Sequence, residues 1–154
     1  MKEYGILNGT ALTDTITTAC FLKDFNLTFS TLFSGVRHDS GDPFTWADTM
    51  LAHYEKLGID PKTKTLLFSD SLDFEKSDRL YQVYKDKTRV AFGIGTYLSN
   101  DTCVPPLNIV MKPTYCNSWP VAKVSDVTGK GMCKDEDYVN YLTRCIQWRM
   151  EHEK

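Results

Sequence analysis

The chain's pattern predicts an α/β fold built on parallel strands. Three short apolar runs each break off into Asp, Ser, Gly or Thr, and two stretches with helical apolar spacing separate them. The first run passes through Leu32, Phe33 and Val36 into Arg37, His38, Asp39 and Ser40. The second occupies 62–70 and ends in Phe68-Ser69-Asp70, and the third occupies 89–96 and ends in Gly93-Ile94-Gly95-Thr96. Strand, helix, strand, helix, strand at this spacing predicts right-handed parallel crossovers. All three strand ends then face one way, so their polar residues gather at one mouth, the end of a parallel sheet where ligands bind.

From the N-terminus, 10–13 reads as a possible first strand. Asp14, next to it among threonines, is either a fourth strand-end acid or the cap of a helix over 15–25. After the first run, Asp42 can accept from a first-turn amide and Pro43 needs no donor there, which predicts a helix start. Over 44–58, Trp46, Met50 and Leu57 share a face with Ala47 and Leu51 beside them, and Gly58 ends the helix. Ser71-Leu72-Asp73 open a second helix over 74–85 with a stripe of Leu80, Tyr81 and Tyr84. Pro105-Pro106 reads as a stiff turn rather than a domain boundary. Strands at 108–115 and 121–125, joined by 116–120, read as an antiparallel hairpin. Asp135 caps a last helix with Tyr138, Val139, Leu142 and Ile146 inward, and 149–154 reads as a charged, frayed tail.

Composition bounds the function. The 154 residues suit a single domain, and 42% of them are hydrophobic. No apolar run approaches the ~20 residues of a membrane span. The start, Met1-Lys2-Glu3-Tyr4-Gly5, has no signal-peptide pattern, so a cytoplasmic setting is expected. A formal net charge of −2 argues against a general nucleic-acid or anionic-membrane surface. Five scattered cysteines fit structural thiols in a reducing compartment, and no local motif supports a catalytic one.

Each chemical group has two readings. Gly93, Gly95 and Thr96 are a phosphate cradle or a tight strand-exit turn. Asp39 and Asp70 suit ribose hydroxyls or a magnesium shell, or else they cap helices. Arg37 is a phosphate fork or the partner of Asp39 or Asp42. His38 alternates to the side opposite Arg37 and Asp39 and reads as structural. His53 and His152 read as solvated. Taken together, these positions point to a phosphorylated sugar. A complete parallel barrel takes ~250 residues and a small one ~200. Three crossover strands, a possible fourth and a hairpin therefore look like the later half of something larger, a partial, irregular α/β barrel.

The wording is also familiar. Leu12-Thr13-Asp14-Thr15, Phe21-Leu22-Lys23-Asp24-Phe25 and Gly35-Val36-Arg37-His38-Asp39-Ser40-Gly41-Asp42-Pro43 resemble the C-terminal half of the catalytic region of nicotinate phosphoribosyltransferases. So do 52–61, Phe68-Ser69-Asp70-Ser71-Leu72-Asp73, Phe92-Gly93-Ile94-Gly95-Thr96, 106–112 and 120–126, in order and at matching spacing, so the resemblance covers nearly all of 1–154. It implies an irregular α/β barrel with an added domain, working as a homodimer. The implied reaction joins nicotinate to phosphoribosyl pyrophosphate, giving nicotinate mononucleotide and pyrophosphate for NAD salvage. ATP hydrolysis is coupled through a phosphohistidine, and Mg2+ arrives with ATP and phosphoribosyl pyrophosphate as substrates. By position, the resemblance assigns Arg37 and Asp39 to the pyrophosphate and ribose side, Asp70 to ribose hydroxyls, and Gly93, Gly95 and Thr96 to the nucleotide phosphate. Asp14 would orient the phosphorylated histidine. That histidine and the nicotinate clamp belong upstream in the family; none of His38, His53 or His152 sits in the histidine's motif, and Ala19 stands where many relatives carry an acid. The chain thus reads as the ribose-phosphate half of a site. Two other readings are a non-catalytic ribose-phosphate-binding subunit with an N-terminal partner and an unrelated sugar-phosphate barrel, the latter disfavoured by the ordered blocks.

Overall fold

The computed structural model describes residues 9–100, 102–107, 109–127 and 130–152. Strands β1 (Thr10–Leu12), β2 (Gly35–His38), β3 (Thr65–Phe68) and β4 (Arg89–Phe92) form one sheet in sequence order. Every pairing is parallel, in the register Ala11↔Val36↔Leu66↔Val90. Helices α3 (Pro43–Lys56) and α4 (Phe74–Tyr84) make the last two crossovers, as the apolar spacing predicts. Asp42 caps α3 by accepting from Thr45 N–H at 2.7 Å, and Asp73 caps α4 by accepting from Lys76 N–H at 2.7 Å. Gly58, with φ +70°, turns the chain out of α3 in a conformation that favours glycine.

The side chains divide the sheet into two unlike faces. Val36, His38, Leu66 and Phe68 alternate onto the helix side and are fully buried against Trp46, Met50, Tyr54, Leu80 and Tyr84. Gly35 lets β2 and β3 meet, because a Cβ there would stand 2.2 Å from the Thr65 carbonyl oxygen. On the opposite side, the row Leu12, Arg37, Leu67 and Ala91 is only half-buried. Parallel sheets are normally covered on both faces.

The structure corrects several expected elements. The helix expected over 15–25 is α1 (Thr18–Asp24), capped by Thr17 rather than Asp14. A second helix, α2 (Leu27–Leu32), follows, so Leu32 ends a helix and the strand opens only at Gly35. Tyr81 is 46% exposed; Ser77, Leu80 and Tyr84 form the buried stripe of α4. The hairpin is present but shrinks to β5 (Tyr115–Cys116) and β6 (Trp119–Pro120), because Asn117 and Ser118, both at positive φ, make the tight turn. Among the described residues of the expected strands, 109–114 carries no strand, and 121–125 keeps one isolated bridge, Lys123↔Met132; Asn108 lies outside the described residues. Asp135 caps α6 (Glu136–His152), as expected, by accepting from Tyr138 N–H. The tail is helical to His152 because Arg149 pairs with Asp24 and Lys23 caps the Arg149 and Met150 carbonyls.

A broad apolar surface remains open. Leu107, Ile109, Val110 and Met111 are 72–94% exposed, and Trp119 is 75% exposed. Leaving ~300 Å² of such surface uncovered forgoes ~7 kcal/mol at ~25 cal/mol per Å², comparable with the ~5–15 kcal/mol that stabilises a whole domain. The isolated chain is therefore expected to self-associate in sedimentation velocity and to bind apolar dyes. A monodisperse monomer that binds no dye would show that this surface tolerates water.

Candidate functional site

Because β1 to β4 are parallel, their C-terminal ends share one side of the molecule. The caps at Asp42 and Asp73 serve the helix N-termini, which leaves Asp39 and Asp70 for other partners. Arg37 Nη2 donates to Asp39 Oδ1 at 3.3 Å, and Arg37 Nε donates to Ser69 Oγ at 3.0 Å. A strap of residues 121–127 and 130–132 lies across these ends. Lys123 Nζ reaches Asp39 Oδ2 at 2.7 Å and Asp14 Oδ2 at 3.1 Å. Lys130 Nζ donates to the Asp39 carbonyl at 2.8 Å and forms an ion pair with Asp70.

Asp14 is buried rather than a helix cap. Its Oδ2 accepts from Ser40 at 2.6 Å and from Ser125 at 3.0 Å, while Oδ1 has no hydrogen-bond partner among the described residues. Burial opposes its ionisation, but the Ser40, Lys123 and Ser125 contacts outweigh that and hold the carboxyl below the usual aspartate range. Asp39 behaves alike: burial pushes up, while Lys123 and Arg37 pull further down. Burial pushes the Lys123 ammonium down, and the two aspartates more than reverse it, leaving its pKa raised. Ser125 holds φ +68°, an unfavourable region for serine, where its hydroxyl meets Asp14. Asp126 anchors the same strap by accepting from Thr18 N–H at 2.9 Å, at the first turn of α1.

The expected single mouth is two adjoining clefts. One, of about 700 Å³, is lined by Arg37, Asp39, Lys112, Lys123 and Lys130 together with apolar residues such as Leu12 and Met111. The other, of about 640 Å³, is lined by Ser69, Ser71, Asp73, Gly93, Gly95 and Thr96. Ser69 touches Arg37 of the first and lines the second, while the Lys130–Asp70 pair ties the first to the end of β3. Asp14 lies beneath Lys123. The segment after Gly95 is a single turn, α5 (Thr96–Ser99), so it adds little dipole to a phosphate cradle.

Lys123 and Lys130 escape sequence reasoning because their partners lie 84 and 60 residues away. His38 is structural, as expected: it is fully buried, 5.2 Å from the Trp46 ring, and burial holds its pKa below the ordinary imidazole value. His53 is a correction in part: it is half-buried rather than freely solvated, and its Nε2 lies 2.7 Å from the Phe25 carbonyl, to which it must donate. His152 is exposed and stacks on Trp148. Cys20 is buried and the other four thiols are partly or fully exposed, with no disulfide among them. No described helix is long and apolar enough to cross a membrane, and no three His, Cys, Asp or Glu residues are grouped to hold a metal ion among the described residues.

A sequence profile described as the nicotinate phosphoribosyltransferase (NAPRTase) family matches residues 1–148. The chain belongs to the nicotinate phosphoribosyltransferase family. It is 52% identical over 148 residues to nicotinate phosphoribosyltransferase 2 of Pseudomonas aeruginosa, covering 96% of this chain and 37% of that one. It is 55% identical over 143 residues to the Ectopseudomonas mendocina nicotinate phosphoribosyltransferase, covering 92% and 36%. The crystal structure of the Vibrio cholerae nicotinate phosphoribosyltransferase superposes with a TM-score of 0.89 at 43% identity, over 92% of this chain and 36% of that one. The Porphyromonas gingivalis enzyme gives 0.80 at 38% identity, over 88% and 37%. The chain thus spans little more than a third of the length of these relatives.

Proposed function

We propose that this chain forms the ribose-phosphate half of a nicotinate phosphoribosyltransferase site, within a partial, irregular α/β barrel. The observation that carries this reading is the gathering of Arg37, Asp39, Lys123 and Lys130 around one cleft at the C-terminal ends of parallel strands, in a member of this family. The reaction would join nicotinate to phosphoribosyl pyrophosphate, coupled to ATP, in a cytoplasmic NAD salvage route. Its transition state is oxocarbenium-like, so the site must hold the phosphate, fix the ribose hydroxyls and neutralise the departing pyrophosphate. Arg37, Lys123 and Lys130 would face the pyrophosphate. Asp39 and Asp70 would accept from ribose hydroxyls once their lysines shift to phosphate oxygens. Gly93, Gly95 and Thr96 would admit the nucleotide phosphate in the second cleft.

The unpartnered Oδ1 of Asp14 supports its assignment: a buried carboxylate oxygen with no donor suits the N–H of a histidine supplied from outside this chain. Asp39 in the cleft and Asp70 beside it are already paired with lysine, which suits Mg2+ arriving bound to ATP and phosphoribosyl pyrophosphate better than a resident ion. The half-exposed sheet face and the apolar surface of Leu107, Ile109, Val110 and Met111 support a homodimeric, full-length assembly in which further chain covers them. A second reading, a non-catalytic ribose-phosphate-binding subunit with a separate partner, shares the same cleft.

A chimera tests the first reading. In the Pseudomonas aeruginosa relative, the matching 37% is replaced by this chain. The chimera is expected to form nicotinate mononucleotide, and Asp39→Ala or Asp70→Ala within it to lower kcat/KM at least ~100-fold. A folded but inactive chimera would favour the binding-subunit reading.

A further inference from the structure

We infer that Ser69 is a positioning residue that fixes the Arg37 guanidinium for an oxyanion, an inference resting on the ribose-phosphate reading of the cleft. Ser69 follows β3, and its main-chain N–H donates to the His38 carbonyl at 3.1 Å. Its hydroxyl donates to the same carbonyl at 2.7 Å. The one hydroxyl proton is thereby committed, and Oγ can offer Arg37 only a lone pair, which Nε–H meets at 3.0 Å. At the other edge of the guanidinium, Asp39 Oδ1 takes Nη2 at 3.3 Å. Held at two points, the planar fork presents its remaining N–H groups in one orientation; without Ser69, the 43%-exposed side chain samples many rotamers.

Gly93 makes room for this arrangement. A Cβ at Gly93 would stand 3.3 Å from the Ser69 Cβ, so the serine would have to give by a few tenths of an ångström. Ser69 also lines the second cleft, beside Gly95 and Thr96. One hydroxyl therefore couples the cation of the pyrophosphate side to the wall of the phosphate side.

The test is equilibrium dialysis of inorganic pyrophosphate against the whole chain, which tolerates self-association. Ser69→Ala is expected to weaken pyrophosphate binding about tenfold, and Ser69→Thr, which keeps the oxygen, to stay within about threefold. In an Arg37→Ala background, Ser69→Ala is expected to add nothing. Equal weakening in both backgrounds would mark a merely structural serine and overturn the inference. Unchanged binding by Ser69→Ala would overturn it while leaving the cleft reading intact. Failure of the wild-type chain to bind pyrophosphate would overturn both. A nuclear magnetic resonance measurement needs no variant: the Arg37 Nε–H is expected to exchange more slowly than a free guanidinium, and exchange at the free rate would overturn the inference.

Discussion

Incubated with nicotinate, phosphoribosyl pyrophosphate, ATP and Mg2+, the purified chain is expected to form no nicotinate mononucleotide above a no-enzyme control. In the proposed reading it holds one reactant and lacks the groups that hold the other. Its histidines offer no substitute for the phosphorylated one: His38 is sealed in the core, His53 is bound to the Phe25 carbonyl, and His152 stacks on Trp148. None of the three contacts Asp14, whose hydrogen bonds come from Ser40, Ser125 and Lys123. Orienting two reactants is worth ~7–11 kcal/mol of barrier, so a site that fixes only one falls behind by at least ~10⁵ in rate. Product from the isolated chain would show that the described residues already make a whole site. Product only after adding the complementary part of a relative would place the missing groups there.

The parts of this fold legible in sequence are those governed by local rules. Val36, Leu66 and Val90 lie in short apolar runs, and Asp42-Pro43 and Asp73 announce helix starts within three residues of the amides they cap. Arg37, Asp39 and Asp70 were legible because each lies at or within two residues of a strand end. Helix α2 was not, since Thr28, Phe29 and Thr31 are weak helix formers and its six residues are too few to show a helical apolar period. Lys123 was hidden in Pro120-Val121-Ala122-Lys123-Val124, which has the look of a strand; its partners Asp39 and Asp14 are fixed only when the strap crosses the sheet. Ser125 was hidden similarly, because its hydrogen bond to Asp14 spans 111 residues. The site's two lysines are thus a tertiary property, while Arg37 and the acids at the strand ends are local ones.

Replacing Lys123 by Met is expected to destabilise the fold by about 3–5 kcal/mol at neutral pH, the usual effect of removing one partner from a buried ion pair. Asp14, with a side chain only 2% exposed, would keep its charge without its cation, and Asp39 would keep only Arg37. The pH dependence follows from the shifts. Asp14 and Asp39 are held below the ordinary carboxylate value, so their contribution is complete above the unfolded pKa of ~3.9 and is lost as pH falls through the lower folded values. Lys123 is held above its ordinary value, so its contribution is complete below ~10.4 and is lost as pH rises through the higher folded value. The wild-type chain should therefore unfold with a broad stability plateau between these limits. In Lys123→Met the buried Asp14 takes up a proton more readily, so the deficit should narrow as pH falls toward ~4. Lys123→Arg, which keeps the charge, should lose much less. Urea unfolding at matched protein concentration from pH 4 to 9 measures all three. A Lys123→Met chain as stable as wild type at pH 7, or a deficit that does not change with pH, would remove Lys123 as the electrostatic tie between the strap and the strand ends.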